Sequence, residues 1–267
     1  MSCGEPINRI IAEGGGNVKQ LYRDPEKIAA FLEGWVREKL NGAGATGAVL
    51  GLSGGVDSAA LAALLRRTLG RDHVLALIMP SHSNPQDEAD ARLVAEALDI
   101  EVRKIDLTGL YDAFSAALEA VVPLSDMARA NIKPRLRMTA LYAAAQSRNA
   151  LVCGGGNRDE LVYGYFTKHG DSGVDLLPFG ELLKGEVWAL AAHLGVPRRI
   201  VDKPPTAGLW DGQTDEAEMG VTYEALDRYL ADGTGAPEIV EKIRRASARS
   251  AHKREMPPIA PIPLKLA

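Results

Sequence analysis

Cysteine, aromatic residues and excess charge are all scarce in this chain of 267 residues. It has two cysteines, 5% aromatic residues and a formal net charge of −4 at pH 7. Cys3 and Cys153 form no CxxC pair, which leaves neither a disulfide framework nor a zinc or redox motif. An acidic chain also argues against a nucleic-acid-binding protein, although a local basic pocket for an anionic substrate stays compatible with it.

Long apolar runs are missing as well. No stretch is long enough to span a bilayer, so we expect no membrane segment. The first twenty residues carry three consecutive glycines, residues 14–16, where a signal peptide would need its apolar stretch. The sequence therefore predicts a cytoplasmic protein.

The hydrophobic residues that are present, 46% of the chain, are enough to bury a large core. Their spacing predicts β-strands over 48–52, 74–79, 100–105 and 151–153. It predicts a helix that begins at Pro25 with Asp24 as its N-cap, and a second that begins at Pro85 after Asn84. Further helices are predicted over 57–69, 107–122, 125–149, 184–194, 222–231 and 236–249. Pro134 is expected to bend or restart the helix over 125–149.

This order of elements predicts the fold class. Strands that alternate with helices form right-handed βαβ units, and hence an α/β fold whose parallel sheet has helices on both faces. We expect one domain over 1–267, with an α/β core at about 25–200 and a helical C-terminal appendage at about 201–267. Ligands of such sheets bind beyond the carboxyl ends of the strands, where the glycine clusters of this sequence fall.

The strand that ends at Leu52 leads into a loop with the features of a phosphate site. The loop reads Ser53-Gly-Gly-Val-Asp57-Ser58 and a predicted helix follows it. Its glycines allow a tight turn with inward N–H groups, and the helix N-terminus adds partial positive charge. Asp57 would repel phosphates unless a Mg²⁺ ion lay between them. The loop has no Gly-Lys-Ser/Thr and is not a Walker A motif, and the GxGxxG at 42–47 opens no helix.

Ser53 to Ser58 resembles the pyrophosphate loop of the N-type ATP pyrophosphatases, enzymes of the adenine nucleotide alpha hydrolase-like fold. Within that group the chain resembles NAD synthetases from about Ala48 to Pro257. The segments that carry the resemblance are 131–138 (NIKPRLRM), 154–160 (GGGNRDE), 164–171 (GYFTKHGD), 174–178 (VDLLP), 184–188 (KGEVW), 203–210 (KPPTAGLW), 213–216 (QTDE) and 252–254 (HKR).

The resemblance implies ATP-dependent amidation of deamido-NAD with ammonia, through an adenylated nicotinate, to give NAD, AMP and pyrophosphate. It implies Mg²⁺ on Asp57 and Glu160, with Asp57 and Lys184 as catalytic residues. The implied ATP contacts are Gly51, Leu52, Ser53, Gly54, Gly55, Val56, Asp57, Ser58, Gly155, Lys184 and Thr206. The implied deamido-NAD contacts are Arg135, Lys168, Asp175, His252 and Lys253.

One position departs from the family pattern, because Gly155 stands where threonine is usual. A hydroxyl contact to ATP is then lost, which costs about 0.5–1.5 kcal/mol. The family also implies a homodimer with its dinucleotide pocket at the interface. The helices over 107–149 are candidates for that interface, but Leu136, Met138, Leu141 and Tyr142 fit a core equally well. The segments 166–177 and 203–216 are candidates for closure over the substrate.

Three other functions compete with this one. A tRNA-modifying ATP pyrophosphatase would need an RNA-binding surface and often a cysteine pair, neither of which the sequence offers. A glutamine-dependent NAD synthetase would need a glutaminase domain, and the region before the phosphate loop is too short for it. A glutaminase on a separate chain remains open. A non-catalytic ATP-binding module would not need both Asp57 and Glu160.

Overall fold

The structure is a computed structural model that describes residues 21–206 and 214–262. Cys3, the glycines at 14–16 and residues 207–213 of the 203–216 segment lie outside these ranges. In the described residues the strands are β1 (Gly47–Gly51), β2 (Val74–Ile78), β3 (Glu101–Lys104) and β4 (Ala150–Val152). All their pairings are parallel, in the order β3-β2-β1-β4. The chain thus crosses to the other side of β1 when it reaches β4.

Helices pack around this sheet, and further helices follow it at the C-terminal end of the described residues. They are α1 (Pro25–Gly42), α2 (Val56–Leu69), α3 (Pro85–Leu98), α4 (Thr108–Glu119), α5 (Asp126–Ser147), α6 (Arg158–Tyr163), α7 (Lys184–His193), α8 (Arg198–Val201), α9 (Asp215–Met219), α10 (Tyr223–Asp232) and α11 (Pro237–Arg249). Asp24 and Asn84 cap α1 and α3 as predicted, since each side chain accepts a hydrogen bond from a backbone N–H of the first turn.

Side chains of successive strand residues point to opposite faces of the sheet, and both faces are buried. On β1, Ala48 and Leu50 join a core formed with α1, α2 and α7. Val49 points the other way and packs with Leu141 of α5. Helices therefore cover both faces, and the predicted fold class is confirmed.

Helix α5 differs from the prediction, because it runs through Pro134 without a restart. Proline lacks the N–H that would bond to the carbonyl of Ala130, so the helix forgoes one backbone hydrogen bond. Pro134 is buried together with Ala130 and Ile132, and this packing sustains the helix across the gap. The expected restart at Pro134 was therefore wrong.

Smaller differences concern the ends of elements and short helices. Helix α4 ends at Glu119 rather than near residue 122, and β3 is one residue shorter at each end than predicted. The short helices α6, α8 and α9 carry too few residues for a periodic pattern to be recognised.

The C-terminal helices α10 and α11 contribute to a second, small core around Tyr223, Leu226 and Ile243. Across the described ranges, no helix combines the length and apolar character that a membrane crossing requires.

Candidate active site

The loop between β1 and α2 lies at the carboxyl edge of the sheet and is held by its two serines. The Oγ atoms of Ser53 and Ser58 lie 3.0 Å apart, and Ser58 also accepts from the Ser53 N–H. Gly54 has a φ of 80°, and a Cβ there would lie 2.5 Å from the carbonyl oxygen of Asp87 on α3. Gly55 precedes α2 without a capping side chain, so the helix N-terminus remains available for an anion.

A second loop reaches the same place from β4, on the other side of β1. Asn157 caps α6 through a reciprocal pair of hydrogen bonds with Glu160. The same fully buried side chain donates its Nδ2–H to Asp57 Oδ1 at 3.0 Å. The two loops therefore meet at the point where the strand order reverses, which is where ligands of such sheets bind. Asn157 is a site residue to which the sequence reasoning gave no role.

Lys184, the first residue of α7, lies beneath these loops. Its Nζ is 2.6 Å from Asp57 Oδ2 and 3.6 Å from Glu160 Oε1, and the side chain is 1% exposed. Burial alone would lower the pKa of Lys184, but the charges of Asp57 and Glu160 raise it above its ordinary value. Burial and the nearby charge of Asp57 raise the pKa of Glu160 above its ordinary value. Two carboxylates this close favour a cation beside them.

The donor set at Asp57 and Glu160 fits a magnesium ion. Both side chains are about one-fifth exposed, so they can reach the cleft. The described residues contain no group of three or more metal-ligating side chains. Mg²⁺ is commonly held by one or two carboxylates together with substrate phosphates and water, so two carboxylates beside a phosphate loop are sufficient.

Gly155 lies directly against the first turn of α2. A Cβ on this residue would lie 3.2 Å from both the carbonyl carbon and the carbonyl oxygen of Asp57. That spacing is tighter than an ordinary van der Waals contact. The glycine that departs from the family pattern therefore lets the β4 loop approach the phosphate loop closely.

A continuous cleft of about 1290 Å³ extends from the phosphate loop to the C-terminal segment. The predicted ligand residues that line it are Gly51, Leu52, Ser53, Gly55, Val56, Asp57, Ser58, Arg135, Gly155, Glu160, Lys168, Thr206, His252 and Lys253. Gly54 and Lys184 do not line it: Gly54 packs against Asp87 of α3, and Lys184 lies behind Asp57 and Glu160.

Basic residues meet at the far end of the cleft. Arg135 donates from Nε and Nη2 to the carbonyl of Lys168 at 3.3 Å, and Lys168 Nζ donates to the carbonyl of His252. Lys253 Nζ donates to the carbonyls of Gly164 and Phe166, both at 2.8 Å. The 251–253 segment is thus a short 3₁₀ turn docked on the 164–168 loop. These cations suit the phosphates or carboxylate of a nucleotide substrate.

Asp175 is the one predicted deamido-NAD contact that does not line this cleft. Its carboxylate accepts from the backbone N–H of Val152 at 2.8 Å and from the Tyr142 hydroxyl at 3.1 Å. The first bond holds the segment after the 164–171 loop against β4, and the second holds it against α5. Within the single chain, the Asp175 side chain therefore stabilises the fold. A contact between Asp175 and deamido-NAD stays a prediction.

The fold and this site together define a class: an α/β protein with a phosphate-binding type of loop at the carboxyl edge of a parallel sheet and a pair of carboxylates beside it. The family model for NAD synthase matches residues 28–257, and the chain belongs to that family. The NH(3)-dependent NAD(+) synthetase of Syntrophomonas wolfei is 49% identical over 91% of this chain and 99% of its own length.

Solved structures agree with this placement. The NMN synthetase of Francisella tularensis superposes with a TM-score of 0.86 at 39% identity, over 90% of this chain and all of that one. The NH3-dependent NAD synthetase of Campylobacter jejuni has a TM-score of 0.73 at 31% identity, over 89% of this chain and 99% of that one. The chain is therefore an ATP-dependent carbon–nitrogen ligase of NAD biosynthesis.

Proposed function

We propose that the protein converts deamido-NAD, ATP and ammonia into NAD, AMP and pyrophosphate. One observation carries this proposal: a single cleft joins the phosphate loop and its carboxylate pair to the basic end formed by Arg135, Lys168 and Lys253. One end suits the triphosphate of ATP, and the other suits a second anionic nucleotide. Such an arrangement brings two anions together, as adenylation of a carboxylate requires.

In the first step an oxygen of the nicotinate carboxylate attacks the α-phosphorus of ATP. The bond between the α-phosphorus and the bridging oxygen breaks, and pyrophosphate leaves. The backbone N–H groups at the start of α2 and the hydroxyls of Ser53 and Ser58 would bind the departing phosphates, which the uncapped helix N-terminus and the neighbouring hydroxyls support. Lys184 supplies positive charge behind Asp57, which offsets negative charge that develops on the leaving group.

In the second step ammonia attacks the carbonyl carbon of the adenylate. The carbon–oxygen bond to AMP breaks, AMP leaves, and the nitrogen loses one proton to give the neutral amide.

The carboxylate pair would contribute to the first step. Asp57 and Glu160 would hold Mg²⁺, which when bound neutralises phosphate charge and makes pyrophosphate a better leaving group. Asn157 fixes the orientation of Asp57, so the carboxylate faces the cleft in a defined direction.

A second candidate substrate is nicotinate mononucleotide, which lacks the AMP half of deamido-NAD. The observation in its favour is the superposition on a protein described as an NMN synthetase, with a TM-score of 0.86. The chemistry would be the same at both substrates, since both carry the nicotinate carboxylate. The basic end of the cleft would then bind one phosphate instead of two.

Purified protein with ATP, Mg²⁺ and an ammonium salt tests both candidates when each nucleotide is supplied separately. We expect NAD and AMP in equal amounts from deamido-NAD, and none without it. Faster amidation of the mononucleotide would replace deamido-NAD as the preferred substrate. Amidation only with glutamine and a partner glutaminase would reject free ammonia as the donor, and ATP binding without any product would favour the non-catalytic module.

We also propose that two copies associate through α4 and the turn that follows it. Leu110, Phe114 and Val121 are 53%, 46% and 85% exposed there, which leaves an apolar surface open to water. Of the residues suggested by the sequence, Leu136, Leu141 and Tyr142 pack in the core on the sheet instead, and Met138 lines the cleft. Sedimentation should show a dimer that dissociates in a Phe114→Asp variant, whereas a monomeric wild type would refute this interface. A cytoplasmic location stays a prediction.

A further inference from the structure

The segment Tyr22–Arg23, which precedes α1, contacts the N-terminus of α7. It lies outside the family match, which begins at residue 28. Helix α7 begins at Lys184, the buried lysine whose Nζ meets Asp57 at 2.6 Å. A segment distant in sequence therefore touches the helix end from which this side chain extends.

Tyr22 makes two contacts with this helix end. Its ring packs directly on Gly185, where a Cβ would lie 2.6 Å from the Tyr22 hydroxyl oxygen and closer still to the ring carbons. Its hydroxyl donates to Asp227 Oδ2 at 2.8 Å. Asp227 in turn accepts from the backbone N–H groups of Lys184 and Gly185, each at 3.0 Å. Tyr22 thus supports the carboxylate that holds the first two residues of α7.

Arg23 holds the third residue, Glu186. The backbone N–H and the Nε–H of Arg23 both donate to Glu186 Oε1, at 2.9 and 2.6 Å, while Glu186 Oε2 accepts from the N–H of Leu183. Nη2 of Arg23 reaches further, to the carbonyl of Glu181 at 2.7 Å. The Glu186 side chain is 1% exposed and that of Arg23 is 57% exposed, so Arg23 binds the buried carboxylate from the protein surface. Every residue of the first turn up to Glu186 is therefore tied to Tyr22, Arg23 or Asp227.

We propose that Tyr22 and Arg23 are positioning residues for Lys184. The inference rests on the proposed function, since it takes Lys184 as the residue that acts on the phosphates. Because the length of a lysine side chain is fixed, the position of its ammonium depends on where its backbone is held. A displacement of about 1 Å at a reacting group can lower a rate about 100-fold, so a shift of this helix end would act on kcat.

The test uses Tyr22→Phe and Arg23→Met, which remove polar contacts and leave most of the packing volume. Arg37→Met is the matched control, because Arg37 is also half-exposed and pairs with a glutamate, Glu33, at 3.6 Å. We expect kcat to fall about five- to fiftyfold in the two test variants. The KM values for ATP and deamido-NAD should stay within about threefold, and the control should match the wild type.

Hydrogen exchange gives a readout that does not depend on activity. The N–H groups of Lys184 and Gly185 are bound to Asp227, so Tyr22→Phe should speed exchange in the 183–187 peptide. Exchange in α10 away from Asp227 should not change. If the wild type makes no NAD, the proposed function fails, while this measurement still tests whether Tyr22 holds the helix end.

A compensating pair separates positioning from general stability. Gly185→Ala should nearly abolish activity, because the new methyl group would clash with the Tyr22 ring. Combining it with Tyr22→Ala removes the ring and should restore activity to the level of Tyr22→Ala alone. Unchanged kcat in Tyr22→Phe and Arg23→Met would overturn the proposal. So would a double variant no more active than Gly185→Ala, or losses in kcat that simply follow the melting temperature.

Discussion

Replacing Lys184 by methionine is the most informative single change at this site. Methionine preserves the length and apolar stem of the side chain and removes the ammonium that lies between Asp57 and Glu160. Removing one positioned group that stabilises developing charge costs about 10²–10³ in kcat. We therefore expect kcat for NAD formation to fall about 100- to 1000-fold.

The same change has a smaller, calculable effect on stability. Losing one partner of a fully buried ion pair costs about 3–5 kcal/mol. Asp57 is 23% exposed and water screens its charge, so we expect about 1–3 kcal/mol instead. For a chain of this size that is a fall of about 3–10 °C in Tm. The folded fraction at 25 °C then stays high, and the loss of kcat reports on chemistry.

The assay measures NAD and AMP together at saturating ATP and deamido-NAD. Lys39→Met serves as the control, because Lys39 is exposed on α1, where its ammonium pairs with the exposed Glu38 and lies over the Trp35 ring, away from the cleft. Lys184→Arg should also be impaired, since the planar guanidinium does not match the space of a fully buried lysine. A Lys184→Met enzyme that kept more than about a tenth of the wild-type kcat would refute the role of this ammonium.

Three further predictions follow from single residues. Burial alone would raise the pKa of Glu186, but the guanidinium of Arg23 holds this pKa below its ordinary value. The ion pair therefore stabilises the fold at pH values above the unfolded pKa of about 4.3. That stability is lost as the pH falls through the lower pKa of the folded state. Arg23→Met should therefore move acid unfolding, followed by circular dichroism, to higher pH; an unchanged midpoint would contradict this. Burial raises the pKa of the Cys153 thiol to about 12, so little reactive thiolate forms at pH 8. In a Cys3→Ser variant, which keeps Cys153 as its remaining thiol, a thiol reagent should react only after unfolding. Rapid labelling of the native state would contradict this, because it would show that the thiol is accessible. Gly155→Ala should raise the KM for ATP about three- to tenfold, because its Cβ presses on the backbone of Asp57. Gly155→Thr should raise it less, because its hydroxyl regains a hydrogen bond to ATP worth about 0.5–1.5 kcal/mol. An unchanged KM for the alanine variant would count against the close approach of the two loops.

Local patterns were sufficient to predict the phosphate loop and the sheet around it. A strand, two glycines and a helix N-terminus lie next to one another in sequence, so the geometry from Ser53 to Ser58 depends on short-range chemistry. The coverage of both sheet faces also followed from the spacing of apolar residues. Pro134 failed as a predictor because tertiary packing outweighs the loss of one backbone hydrogen bond.

Long-range placements could not be predicted in the same way. Lys184 and Asp57 are 127 positions apart, and the resemblance named both without indicating that they form an ion pair. Tyr22 lies 205 positions from Asp227, in a segment with no motif of its own. Asp175 shows a different limit of sequence reasoning. Its position in a family motif implied a contact with deamido-NAD, whereas in the structure its carboxylate binds the backbone N–H of Val152 in β4.

The central claim is that this cleft joins adenylation of a nicotinate carboxylate to amidation by ammonia. The most direct measurement uses deamido-NAD labelled with ¹⁸O in that carboxylate, together with ATP, Mg²⁺ and ammonium, and analyses the products by mass spectrometry. We expect NAD and AMP in equal amounts, with one ¹⁸O atom transferred to AMP. NAD formed with ADP and phosphate, or AMP without the label, would contradict it.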